Sequence, residues 1–102
     1  MSWYHCVAAF LAGAFLANTV PHFVHGISGD PFPTPFAKPP GRGLSSPTVN
    51  VLWALLNLAC GYAAWLFGHI SARDPAALLV FFAGIAALSI AMSISFQQKQ
   101  TR

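Results

Sequence analysis

The stretch that decides the fold is VNVLWALLNLACGYAAWLFGHI over 49–70, SARD over 71–74, Pro75, and AALLVFFAGIAALSIAMSISF over 76–96. Neither apolar run contains Asp, Glu, Lys or Arg, and each supplies the roughly 20 residues that a helix needs to cross a bilayer core. They read as two spans joined by a tight turn, an antiparallel hairpin. Both starts carry capping chemistry. Ser46 precedes Pro47 and Asp74 precedes Pro75, so each span has a side-chain acceptor at its N-cap and a proline at its first helical position.

Towards the N-terminus, residues 3–20 form another uncharged run, closing in Asn18, Thr19 and Val20 before Pro21. Proline disfavours helix at the residue preceding it, so the first span is expected to stop at 20. A cleaved signal peptide would begin with positive charge, and residues 1–5 contain none, so the run is expected to remain as a helix. Residues 21–48 then hold seven of the eight prolines and four of the eight glycines. A solvated linker gains nothing from aromatics set between prolines, as in the run from Pro31 to Phe36. The loop is therefore expected to be extended, polyproline-type backbone packed on the bundle end or in an interface. Phe32, Phe36, Lys38 and Arg42 are its candidates for contact with lipid or a partner.

The rest of the composition agrees. Only 7% of the 102 residues are charged, 56% are hydrophobic, and mean hydropathy is +0.60, too few charges to coat a soluble globule. The net charge of +3 rests on too few cations to track a phosphate backbone, so nucleic acid is excluded as a partner. The fold class is an all-α integral membrane protein, one domain over 1–102 with spans at 3–20, 49–70 and 76–96 and a polar tail at 97–102. Lys38, Arg42, Lys99 and Arg102 fall on one side and Arg73 on the other. That bias predicts the N-terminus out and the C-terminus in, most simply in a bacterial inner membrane.

No acid lies in any span, which argues against proton-coupled transport. Small and amide residues recur instead at helical spacing: Asn50, Ala54, Asn57, Gly61, Ala64 and Gly68 in the second span, and Ala83, Ala87, Ala91 and Ser95 in the third. Ala9, Gly13 and Ala17 do the same in the first. Such faces let backbones approach and amides bond across helices, so Asn50, Asn57, Gly61, Ala83, Ala87 and Ala91 are the expected packing residues. His22 and His25 would share one face of a short helix and form a candidate metal pair, although Asp30 is the only acid near them. His5 and His69 should sit at similar depth on the opposite side, a candidate pair for haem iron or a transition metal. Cys6 and Cys60 differ in depth by roughly 10 Å, so both thiols are expected free.

No nucleophile motif, phosphate-binding glycine loop or carboxylate pair is present, so no enzyme activity and no cofactor are expected. The leading expectation is a small multi-pass accessory or assembly subunit, partnered by lipid and by other membrane subunits or its own copies. Its rivals are a haem- or metal-binding electron-transfer module at His5 and His69, and an oligomeric small transporter or channel.

Overall fold

The three apolar runs fold as three long helices. A computed structural model describes residues 2–40 and 43–97, with α1 at Trp3–Ile27, α2 at Pro47–Phe67 and α3 at Pro75–Gln97. Each is long and apolar enough to span a membrane, and α3 buries the smallest share of its surface within the chain. The starts of α2 and α3 use the caps read from the sequence. Ser46 Oγ accepts from the Val49 N–H at 3.2 Å and Asp74 Oδ1 from the Ala77 N–H at 3.2 Å.

Helix α2 stops at Phe67, three residues short of the apolar run's end. His69 takes φ 50°, its N–H donates to Leu66 O at 3.1 Å, and the Ile70 N–H donates to Trp65 O at 3.4 Å. These paired bonds end helices through a left-handed residue that is usually glycine. They turn Ile70 inwards to pack with Ala9, Ala12 and Ala77.

The expectation that the first span stops at 20 is corrected. Helix α1 runs through Pro21 to Ile27. Proline removes one donor from the helix, but the two turns beyond it are held from outside. His22 is buried against Asn50, and Gly26 sits so close to α2 that an added methyl would lie 2.9 Å from Pro47 O. Tertiary contact here outweighs the local preference, and the connection shrinks to residues 28–46. Part of it is not polyproline-like: Phe32–Pro33 and Leu44–Ser45 pair as a short antiparallel ladder, with Phe32 opposite Ser45.

The packing also differs from a simple hairpin. Helix α1 is the shared neighbour of both α2 and α3, which make few contacts with one another beyond Trp65 against Phe81 at 5.1 Å. Ala83, Ala87 and Ala91, expected on the packing face of α3, are exposed; Ala77 and Gly84 are buried instead. A methyl on Gly84 would overlap the Phe10 carbonyl, and one on Gly13 the Phe81 carbonyl. The α1–α3 crossing is therefore a reciprocal pair of glycines, each admitting the other helix's backbone. Large apolar side chains such as Leu52, Phe67, Leu79 and Phe82 point outwards, the arrangement of a bundle whose solvent is lipid.

Candidate functional site

The densest polar chemistry lies where α1 outlasts Pro21, against the start of α2 and beneath the loop. Asn50 is fully buried. The two hydrogens on its Nδ2 are shared among three carbonyls, Phe32 O at 3.0 Å, Ser45 O at 3.2 Å and Ser46 O at 3.0 Å. Since carbonyls only accept, this fixes the amide's orientation. Asn50 Oδ1 then faces His22 Nδ1 at 2.7 Å, so the proton sits on Nδ1. In the neutral ring, Nε2 is left as an acceptor.

One amide thus ties the start of α2, with Ser45 and the cap residue Ser46, to two segments distant in sequence: α1 through His22 and the first strand of the ladder through Phe32. Thr34 and Ser45 join hydroxyl to hydroxyl, and the Phe36 N–H donates to Thr34 Oγ1 at 3.1 Å. Around them the aromatics interlock. His25 stacks on Phe32 at 4.3 Å, Phe32 meets Phe96 of α3 at 4.8 Å, and Phe36 meets Trp53 of α2 at 5.2 Å. The loop therefore closes the bundle end through both hydrogen bonds and rings.

Deeper in the bundle, Asn18 Nδ2 donates to Asn57 Oδ1 at 2.9 Å, and Asn57 Nδ2 donates to Trp53 O at 2.8 Å. Both amides bond within the chain, α1 to α2. Gly61, one turn beyond Asn57, is buried beside Phe15 and Ala12.

The sequence-derived candidates divide accordingly. Asn50, Asn57 and Gly61 lie buried at α1. Of the candidate metal pair, His22 spends Nδ1 on Asn50 and His25 stacks on the face of Phe32. Phe32 is only 4% exposed and so is held inside the chain, whereas Phe36 and Lys38 are exposed. Arg42, like Lys99 and Arg102, lies outside the described residues. His5 and His69 do come together, edge to face with ring centres 4.9 Å apart. Two imidazoles on opposite faces of a haem need each ring centre roughly 3 Å from the iron, about 6 Å in all, so a porphyrin between them would require the rings to part. Among the described residues no three His, Cys, Asp or Glu side chains gather as a metal set. Cys6 and Cys60 are both free thiols.

Sequence reasoning did not single out Thr34, Ser45 or Trp53. Trp53 Nε1 is buried and has no acceptor among the described residues. No protein-family model, curated protein or solved structure is similar to this chain. What the fold defines is a class: a three-helix protein of membrane-spanning proportions.

Proposed function

We propose that this protein is a non-catalytic accessory or assembly subunit of a larger inner-membrane complex, with the loop end towards the cytoplasm. The observation that carries the reading is the division of labour among the helices. Helix α1 is covered on both sides, while α3 spends a single narrow face on α1 and leaves Ala83, Ala87 and Ala91 exposed in a row at four-residue spacing. A lipid-facing helix gains nothing from small residues in register, whereas a partner helix gains close approach. The loop adds an exposed rim at its end of the bundle, including Phe36 and Lys38.

The test is an Ala87→Trp variant expressed in native membranes. It should keep the melting temperature of the isolated chain and lose its copurifying membrane subunit. A wild-type chain that leaves native membranes as a monodisperse monomer with nothing bound overturns the reading.

A second reading, a transition-metal site, is favoured by one observation. The His5 and His69 rings meet at 4.9 Å, and His69 holds a left-handed backbone that glycine would hold more cheaply. Stoichiometric Cu²⁺ binding abolished by His69→Gly would support it, and equal binding by wild type and variant would dismiss it.

A further inference from the structure

One cavity touches all three helices and the loop. It encloses about 210 Å³ between Asn18 and His22 of α1, Trp53 of α2, and Ser95 and Phe96 of α3, with loop residues 33–35 as its roof. No Lys, Arg, Asp or Glu lines it, so an ion inside would lack a counter-charge and the fitting occupant is neutral. Its wall is nevertheless unsatisfied. His22 Nε2 is left as an acceptor by the bond from Nδ1 to Asn50. Asn18 spends its Nδ2 on Asn57 and leaves Oδ1 without a donor. Ser95, on the exposed rim of the cavity, has no hydrogen-bond partner among the described residues, and the Trp53 indole N–H, buried beside the cavity, has none either.

The complement to this wall is a group that both donates and accepts, mounted on a flat apolar body to lie among Trp53, Phe96 and the loop prolines. A phenolic hydroxyl is such a group. Phe96 also borders a second space, an apolar groove of about 570 Å³ between α1 and α3, lined by Leu16, Val20, Val24, Ile85 and Met92 among others. That groove is open on the flank that faces acyl chains once the helices span a bilayer.

We propose that cavity and groove together bind a lipid-soluble hydroquinone, with a ring hydroxyl against His22 and Asn18 and the isoprenoid tail in the groove. The oxidised quinone has no proton for either His22 Nε2 or Asn18 Oδ1, whereas the ring hydroxyl donates to one of them, so the reduced form binds more tightly by about one hydrogen bond. The inference stands apart from the accessory-subunit reading and involves no electron transfer by the chain itself.

The test uses the full chain in lipid nanodiscs, titrated with a benzoquinol bearing two isoprene units, its quinone, and its dimethyl ether. The readout is the indole N–H resonance of Trp53, one of three tryptophans, assigned with Trp53→Phe. The quinol should move it saturably, and the quinone and ether should bind at least roughly threefold more weakly, the worth of one hydrogen bond. Ser95→Val should weaken quinol binding by roughly three- to tenfold. Because Ser95 makes no bond in the fold, that variant should melt with the wild type. Equal binding of all three probes would mean that only the tail is recognised. That result, the absence of a saturable shift, or full affinity in Ser95→Val would overturn the proposal.

Discussion

Replacing Gly84 with alanine adds one methyl group at the tightest helix crossing in the molecule. The new carbon would overlap the Phe10 carbonyl oxygen and stand 2.9 Å from Phe10 C and 3.2 Å from the Ala14 nitrogen, where carbon contacts settle at about 3.5–4.0 Å. All three neighbours are backbone atoms, so no side chain can swing aside and α1 and α3 must part. Overpacking of this kind costs about 1–3 kcal/mol, against which alanine's better helix propensity returns up to about 1 kcal/mol. Because only backbone can give way, the upper part of that range applies, about 2–3 kcal/mol, and the net loss is roughly 1–2 kcal/mol. Gly61→Ala provides the contrast, because its methyl would meet Phe15 Cβ at 3.3 Å and a shift of a few tenths of an ångström relieves it. That variant should lie within roughly 0.5 kcal/mol of wild type. Gly13→Ala should behave like Gly84→Ala, and the double variant should cost less than the sum, since one separation of the helices accommodates both methyls. Reversible unfolding in mixed micelles of dodecyl maltoside and SDS, followed by far-UV circular dichroism, measures each difference. If Gly84→Ala proves as stable as Gly61→Ala, the glycine crossing is wrong.

Asn50→Leu strips partners from His22 Nδ1 and three carbonyls at once. It should cost roughly 2–4 kcal/mol and raise hydrogen exchange across residues 28–46 more than in the centre of α1. Asn18→Leu and Asn57→Leu should each cost about 0.5–2 kcal/mol and show coupling in a double-mutant cycle, because the two amides bond each other; additive losses would place their partners elsewhere. His69→Gly removes the penalty of a left-handed histidine and should raise the melting temperature by the equivalent of about 1 kcal/mol. Under oxidising conditions Cys6 and Cys60 should both remain open to alkylation after unfolding, as read by mass spectrometry.

The helix starts were legible because their signals are local: a serine or aspartate followed by proline states where an apolar run begins. The end of α1 was not. Pro21 sends a local stop signal that long-range contacts from His22 and Gly26 override, and those contacts depend on a loop whose path no periodicity encodes. With Pro21 taken as the helix end, the histidine pair falls beyond it, and nothing in the sequence distinguishes Asn50 from a generic packing amide or links it to His22. The face that α3 turns to α1 is not legible for a related reason. A helix apolar all round carries no polarity to mark its buried side, and the regular alanine row outweighed the single Gly84 that makes the close approach. Asn57 and Gly61 were legible because an amide and a glycine stand out in an apolar run at a spacing that allows only one face.

The placement of α1 between α2 and α3 can be tested without any mutation. In uniformly labelled protein, nuclear Overhauser contacts should join a Gly13 Hα to the Ile85 amide and a Gly84 Hα to the Ala14 amide, because those nitrogens lie 2.9 and 3.2 Å from where a β-carbon would stand. Observing both fixes the reciprocal crossing. Their absence, with extended contacts between α2 and α3 in their place, would show a simple hairpin and contradict the account.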